Sequence, residues 1–176
     1  AGDQIEDHRA GNRLADGEST IAAFRAVPRL FDGTLYPTGA DTRSAVLGDL
    51  DGDGDQDIVT ANYSSSTSVL LGNGDGSFAA RVDYDLPHGA NSVVLGDVDG
   101  DGDLDIVTSS YSYSSSYYSY SSSASVLLGN GDGSFAARVD YALPGGANSV
   151  ALGDVDGDGD LDIVSSSFSS SVSVLL

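Results

Sequence analysis

The stretch SVVLGDVDGDGDLDIV, Ser92 to Val107, is the most informative part of this chain of 176 residues. Closely similar stretches begin at Ser44 (SAVLGDLDGDGDQDIV) and at Ser149 (SVALGDVDGDGDLDIV). A second motif, SVLLGNGDGSFAARVDY, occurs twice without a change, at Ser68 to Tyr84 and at Ser125 to Tyr141. The chain is therefore an array of one structural unit, and this unit decides the fold.

Each unit has the sequence pattern of four short strands. β-Branched and apolar runs such as Val93 to Leu95 and Ile106 to Thr108 alternate with Gly, Asn, Asp and Pro, which is typical of strands joined by tight turns. We assign strand one to S-x-V/A-x-L, strand two to D-I-V-T/S, strand three to S-V-L-L and strand four to F-A-A-R-V-D-Y. Asn-Gly-Asp-Gly at 73–76 and 130–133 predicts the turn between strands three and four, because these residues adopt positive φ at low cost.

These assignments predict an all-β fold, an array of four-stranded antiparallel blades of β-propeller type, with about three blades and the last one incomplete. The first two units begin 48 residues apart and the next two 57 apart, which is the period of propeller blades and similar arrays. Repeat 1 spans 44–91, repeat 2 spans 92–148, and repeat 3 spans 149–176 without its fourth strand. Residues 109–123 contain only serine and tyrosine, and we predict a lengthened, mobile hairpin there.

Residues 1–43 form an N-terminal segment of uncertain structure that lacks the aspartate motif. Ile21 to Val27 and Leu30 to Tyr36 have the composition of strands, although Ser19 or Thr20 can instead cap a helix. A strand from this segment would complete the blade of repeat 3, either within the chain or in a neighbouring molecule. The second arrangement gives a head-to-tail contact that can build fibres. The alternative is that the chain is a fragment of a longer array.

The charge of the chain restricts its partners. It has 27 acidic residues and seven arginines, with no lysine, for a formal net charge of −20. Such a charge repels nucleic acid and anionic membrane surfaces and favours cations. No apolar run approaches the roughly 18 residues that span a bilayer, so we expect no membrane insertion. The first residue is Ala1 rather than Met, which leads us to expect a processed, exported chain.

The connection between strands one and two carries the chemistry. It is the nine-residue sequence D-x-D-G-D-G-D-x-D in every repeat. At about 5 Å and an effective dielectric constant of about 20, each close pair of carboxylates costs about 3 kcal/mol. A hard divalent cation relieves this repulsion, and carboxylates at positions 1, 3, 5 and 9, a backbone carbonyl at position 7 and a glycine at position 6 suit Ca²⁺.

We therefore predict three structural Ca²⁺ ions, each in a strand-loop-strand site. Position 12 is Thr or Ser and the flanks are strands, which excludes an EF-hand. Mg²⁺ and plain solvated acidic turns are the alternatives. At position 7 we expect only the main-chain oxygen to bind, with the side chain free for solvent or a partner. The predicted metal residues are Asp49, Asp51, Asp53, Asp55, Asp57, Asp97, Asp99, Asp101, Asp103, Asp105, Asp154, Asp156, Asp158, Asp160 and Asp162.

Two further sites are candidates. The tyrosines of the serine and tyrosine tract can form an aromatic surface that stacks on sugars. Asn62-Tyr63-Ser64 matches the N-glycosylation sequon, which makes Asn62 a candidate glycosylation site and predicts that it is exposed. The candidate ligand-binding tyrosines are Tyr111, Tyr113, Tyr117, Tyr118 and Tyr120.

The stretches SVVLGDVDGDGDLDIV (92–107) and SVLLGNGDGSF (125–135) resemble the FG-GAP/VCBS repeats, which are related to the calcium-binding blades of integrin α-subunit propellers. The resemblance covers 44–176. It implies four-stranded blades, Ca²⁺ in the hairpin loop, an extracellular or cell-surface setting and a role in adhesion, carbohydrate binding or scaffolding. It implies no catalytic residues.

We therefore expect a secreted, non-enzymatic repeat protein that acts in adhesion or structural assembly, with a filament joined by strand exchange as one form of that assembly. Its expected partners are other copies of itself, other extracellular proteins and glycans. The alternatives are a lectin-type propeller or an accessory domain of a larger secreted protein. An enzyme is not expected, because no nucleophile, base and oxyanion donors converge in the sequence pattern.

Overall fold

The computed structural model describes residues 33–116 and 119–176. All regular structure in these residues is β, which confirms the all-β prediction, and no helix there is long and apolar enough to cross a membrane. The stretch 21–27, the helix start at Ser19 or Thr20, and Tyr117 and Tyr118 lie outside the described residues. The strands are β1 (Thr42–Gly48), β2 (Asp57–Asn62), β3 (Ser66–Leu70), β4 (Val82–Asp85), β5 (Gly89–Gly96), β6 (Asp105–Ser114), β7 (Ser119–Leu127), β8 (Val139–Leu143), β9 (Ala147–Gly153), β10 (Asp162–Ser167) and β11 (Val172–Leu175).

The strands form three separate sheets, one for each repeat. Their orders are β1-β2-β3-β4, β5-β6-β7-β8 and β9-β10-β11, and every neighbouring pair is antiparallel. Each sheet is thus a meander in chain order, as its turn residues predict. None of the three sheets, which lie within 42–175, closes on itself. In the third sheet β11 is an edge strand, whereas its counterparts β3 and β7 are paired on both sides.

Strand four is shorter than the sequence pattern predicts. We expected it to begin at Phe78, but β4 begins at Val82, and Phe78 makes only an isolated bridge to Gly72. Phe135 and Gly129 repeat this bridge in the second sheet. The serine and tyrosine tract forms the lengthened hairpin that was predicted, because β6 and β7 continue through it as a regular ladder that ends at the pair Ser114 and Ser119.

Adjacent sheets pack face to face through two apolar clusters. The first lies between repeats 1 and 2 and includes Val59 and Ile106, while the second lies between repeats 2 and 3 and includes Val107 and Ile163. Ile106 and Val107 are consecutive in β6, and successive side chains of a strand point to opposite faces. The middle sheet therefore contacts repeat 1 with one face and repeat 3 with the other.

One close contact between repeats is formed by two leucine side chains that pack on a glycine. A Cβ atom on Gly48 would lie 2.6 Å from Cδ1 of Leu95 and 2.9 Å from Cδ1 of Leu104. At Gly96 the corresponding distances, to Leu152 and Leu161, are 2.6 and 3.0 Å. Both glycines end the first strand of their sheet. The contact therefore requires the small size of glycine, and it recurs at both interfaces.

The same glycine position in repeat 3 is open. No atom of the described residues, apart from those of its immediate neighbours in the chain, lies within 4 Å of a Cβ atom built on Gly153. The backbone there is not in the left-handed region, so a side chain is not strained by its φ angle. Gly153 is thus a natural control for Gly96.

An aromatic pair also links consecutive repeats. The rings of Tyr84 and Phe135 meet edge to face with centroids 5.5 Å apart, and Tyr36 and Phe78 form an equivalent pair at 5.0 Å. Such pairs contribute beyond the area that they bury. The Tyr84 contact joins the end of repeat 1 to the turn between β7 and β8, so this turn is positioned by both repeats.

Replacing Gly96 with valine should destabilise the fold, because the new side chain displaces Leu152 and Leu161 from a packed interface. We expect a loss of about 1–3 kcal/mol in the free energy of unfolding for Gly96→Val. Gly153→Val should change it by less than about 0.5 kcal/mol. Urea unfolding followed by circular dichroism, in saturating Ca²⁺ and at low protein concentration, measures both. Equal losses in the two variants would contradict the packing described here.

Candidate metal centre

The first carboxylate of each aspartate loop organises the turn. Asp49 accepts hydrogen bonds from the backbone N–H groups of Gly52 (2.9 Å) and Gly54 (3.0 Å). The next two carboxylates each accept the N–H two residues further on, at 3.3 Å for Asp51 and 2.8 Å for Asp53. The other two loops repeat this pattern of bonds. The loop backbone thus holds the side chains at positions 1, 3 and 5.

The glycine at position 6 has the conformation that the sequence predicts. Its φ angle is 91° at Gly54, 97° at Gly102 and 100° at Gly159, all in the region that residues with a Cβ rarely adopt. This turn folds the second half of the loop back towards the first. A glycine is required here by the backbone itself and not by a crowded environment, since nothing described lies within 4 Å of a Cβ built on these three.

Carboxylate oxygens converge in all three loops. In each, three ligand atoms from different aspartates lie within 4.8 Å of one another. Ca²⁺ binds oxygen at about 2.3–2.6 Å, so two of its ligands are never more than about 5 Å apart. The all-oxygen donor set and this spacing fit a hard divalent cation. The converging residues are Asp49, Asp51 and Asp53 in the first loop, Asp97, Asp99 and Asp101 in the second, and Asp154, Asp156 and Asp162 in the third.

The carboxylate at position 9 is buried at the base of the loop and ties two turns together. Asp57 is 0% exposed; its Oδ2 accepts the N–H of Leu50 and its Oδ1 the N–H of Gly72, each at 2.7 Å. Asp105 accepts the N–H groups of Val98 (2.7 Å) and Gly129 (2.8 Å) in the same way. The sequence pattern predicts these residues only as metal ligands and does not indicate this structural role. Asp162 keeps the bond from Val155 N–H at 2.8 Å.

The side chain at position 7 is not free, contrary to our expectation for the first two loops. The carboxylate of Asp55 lies against Gly74, and that of Asp103 lies against Gly131, so that a Cβ on Gly131 would be 2.6 Å from Oδ2 of Asp103. The cause is the turn between strands three and four, which folds beside the aspartate loop. In repeat 3, where the described chain ends with β11, Asp160 is exposed.

Two of the loop carboxylates show the effect of crowding and burial on their pKa. Loss of solvation raises the pKa of Asp51 above its ordinary value, and the nearby carboxylates raise it further, against the N–H of Asp53. Burial likewise raises the pKa of Asp105, against the N–H groups of Gly129 and Val98. A bound cation acts in the opposite direction, because it favours the charged forms. The loops are therefore built to gain from a cation.

The opposite end of the sheets carries a row of aromatic rings. Tyr63, Tyr111 and Phe168 each follow the position 9 aspartate by six residues, and their rings lie in sequence, 5.8 and 5.2 Å apart between centroids. Tyr120 joins the row, at 5.9 Å from Tyr111, and Tyr113 contacts Tyr120 at 5.0 Å. The sequence pattern indicates the tyrosines of repeat 2 as ligand-binding residues, but Tyr63 and Phe168 are not among the predicted residues. Their common spacing of six residues from the aspartate at position 9 is the sequence signal that places these rings together.

The structure buries Asn62, so the prediction of an exposed glycosylation site is wrong. Its Nδ2 donates to the hydroxyl groups of Ser66 (3.2 Å) and Ser68 (2.8 Å), and its Oδ1 accepts from Thr42 at 2.8 Å. The side chain is 0% exposed. Its role is to join the ends of β1, β2 and β3, because a buried amide is costly unless its donors and acceptors are paired.

Comparison with protein families identifies this repeat. The family model described as FG-GAP-like repeat matches residues 49–108 and 114–165, which together make up well over half of the chain. The first range contains the aspartate loops of repeats 1 and 2, and the second contains that of repeat 3. No curated protein matches the chain.

Replacing Asp105 with asparagine should destabilise the fold even without metal, because the amide offers only one acceptor to the two buried N–H groups. We expect Asp105→Asn to lose about 1–3 kcal/mol in the presence of a chelator. Asp99→Asn removes the same charge from an exposed side chain and should change stability by less than about 0.5 kcal/mol. Urea unfolding in EDTA tests both. If Asp105→Asn unfolded at the same urea concentration as the wild-type chain, the structural role of this carboxylate would be refuted.

Proposed function

Because the chain belongs to the FG-GAP-like repeat family, we propose that it is a non-enzymatic calcium-binding repeat protein that acts outside the cell in adhesion or structural assembly. One observation carries this proposal: three aspartate loops of identical spacing each bring carboxylate oxygens within 4.8 Å of one another. A single acidic turn is common on protein surfaces, whereas three with the same hydrogen bonds favour a bound ion.

Calcium is the cation that fits best. The donors are all oxygen, and Ca²⁺ accepts several carboxylates and a backbone carbonyl in an irregular geometry. Mg²⁺ prefers a rigid octahedron and retains water molecules, which a short peptide loop does not favour. Three Ca²⁺ ions, each adding two charges, would change the formal charge of the chain from −20 to −14. The proposed ligands are the carboxylates at positions 1, 3, 5 and 9 and the carbonyl at position 7.

The role proposed for the ions is structural, because the loop lies at the junction of two repeats. Leu50, the second residue of the first loop, is buried in the cluster between repeats 1 and 2. Its carbonyl accepts the N–H of Gly133, in the β7 to β8 turn of repeat 2, at 3.0 Å. An ion that orders the loop therefore also orders the contact with the next repeat. Binding energy then adds to folding energy.

We further propose that the three sheets are blades of the propeller type. Three observations support this proposal: the strands of each sheet follow one another in chain order, adjacent sheets pack face to face, and the chain belongs to the FG-GAP-like repeat family. An extracellular setting agrees with calcium loops of this kind, since the ion is abundant there and weak sites fill. Assembly through strand exchange has its own support in β11, an edge strand at the position where β3 and β7 are paired on both sides. A strand from another copy would complete that sheet.

Carbohydrate binding is the second candidate function, and the aromatic row favours it. Tyr113 and Tyr120 are each 47% exposed, and Phe168 is 51% exposed. These rings are positioned by contacts with one another, and about half of the surface of each is exposed to solvent. Such rings are suited to stacking against the apolar faces of sugars. This surface lies at the end of the sheets opposite the aspartate loops, so the two functions are compatible.

Calcium titration should show three ions bound to each chain and a melting temperature that falls in EDTA. For one site, free Ca²⁺ at about one hundred times its dissociation constant should stabilise the fold by about 2.7 kcal/mol. Isothermal titration calorimetry gives the number of ions, and the double variant Asp97→Asn with Asp99→Asn should reduce it to two. Asp85→Asn, an exposed acid outside the loops, is the control for charge. A metal-free folded chain with a melting temperature indifferent to EDTA would refute the proposal.

Glycan binding is tested by replacing Tyr113 and Tyr120 with serine, the residue that already alternates with them. If sugars stack on the aromatic row, binding on a glycan array should fall about tenfold or more. Tyr141→Ser is the matched control, because Tyr141 is 44% exposed but lies outside the row. An equal loss in the control, or no binding by the wild-type chain, would remove this candidate function.

A further inference from the structure

The outward face of repeat 3 has the composition of a repeat interface but no neighbour among the described residues. We call it the open face; it consists of Ala151, Gly153, Val155, Val164, Val174 and Leu176. Val155 is 56% exposed and Val174 is 50% exposed. Their counterparts in repeat 1, Leu50 and Val69, are buried against repeat 2. The open face is thus the same surface that repeats 1 and 2 use to bind the next repeat.

One side chain of the complementary surface is exposed on repeat 1, although Leu70 on the same face is buried. In repeats 2 and 3 the leucines Leu95 and Leu152, each the penultimate residue of strand one, pack on the glycine of the preceding repeat. The equivalent residue of repeat 1 is Leu47, which is 60% exposed. The second leucine of each contact, Leu104 or Leu161, is replaced by Gln56 in repeat 1, and Gln56 is exposed. One chain therefore carries both halves of the leucine and glycine contact that it builds twice internally.

We propose that a second copy of this chain docks its repeat 1 on the open face, with Leu47 packed on Gly153. The proposal deepens the assembly role proposed above, and it rests on that role. A second copy fits this face because the chain already contains two interfaces of this kind. In each of them a leucine from strand one packs on a glycine. The contact is heterologous, so it adds copies head to tail. It differs from strand exchange, which would use the edge of β11 and not its sheet face.

Gln56 sets the strength of this contact. The internal interfaces have two leucines on each glycine, but the contact between copies has one leucine and one glutamine. Burying an amide costs free energy unless it finds a partner, so the contact between copies is weaker than the internal ones and reversible. Two copies that each carry a formal charge of −20 also repel one another. Salt screens that repulsion, so association should strengthen as ionic strength rises.

The experiment is sedimentation equilibrium of the full chain in saturating Ca²⁺ across a range of protein concentration. The wild-type chain should show a weight-average mass that rises reversibly with concentration. Gly153→Val fills the space in which Leu47 would pack, and Leu47→Asn removes the apolar side chain. Each variant should raise the dissociation constant about tenfold or more. Gln56→Leu restores the second leucine and should lower it by about tenfold. Ser121→Val is the control, because Ser121 is an exposed residue of β7 in repeat 2 and lies outside both surfaces.

The outcomes separate this contact from the other proposals. A wild-type chain that stays monomeric at its highest soluble concentration overturns the proposal, whatever Gln56→Leu does. Association that is unchanged in Gly153→Val and Leu47→Asn also overturns it and points to the edge of β11. Calorimetry on the same samples reports calcium binding independently. Failure of self-association with three ions bound is therefore distinct from failure of the calcium proposal itself.

Discussion

The structure depends on the need to hold five carboxylates in a nine-residue loop. Repulsion among them opposes the turn, and backbone N–H donors offset it, both within the loop and around the buried aspartate at position 9. Asp57 and Asp105 each accept one N–H from the loop and one from the turn after strand three. A charge at this place is stable because both of its oxygens are paired. The loop and the second turn are therefore one structural unit, and the proposed cation would complete its charge balance.

That unit also connects neighbouring repeats. The second residue of the first loop reaches into the apolar cluster, and its carbonyl is bonded to the next repeat. Local order in a loop and packing between sheets are consequently coupled. In a repeat protein, stability is close to a sum of terms for each repeat and each interface. Here the loop contributes to both terms, so the loss of one of the proposed ions would weaken a repeat and its contact with the neighbour together.

Much of the fold follows from the sequence pattern alone. The turn residues and apolar runs locate the strands, and the glycine at position 6 has the positive φ that its place in the loop requires. Three of the five predicted carboxylates in each loop converge, since the spacing of a short loop leaves few alternatives. Contacts between repeats were not predictable in this way. Leu95 over Gly48 joins residues of two sheets whose packing is set only in three dimensions, and the burial of Asn62 depends on three strands at once. A sequon describes local sequence and carries no information on such contacts.

The leucine and glycine contact has a consequence for orientation. One face of each sheet offers the protruding side chain and the other offers the cavity, and the two faces alternate strictly through the stack. A sheet inserted in reverse would set leucine against leucine on one side and leave a void between two glycines on the other. Both errors are penalised, the first by steric overlap and the second by lost dispersion contacts. The stack is therefore directional, with two chemically different ends. Each added sheet must point in the same direction as the sheet before it.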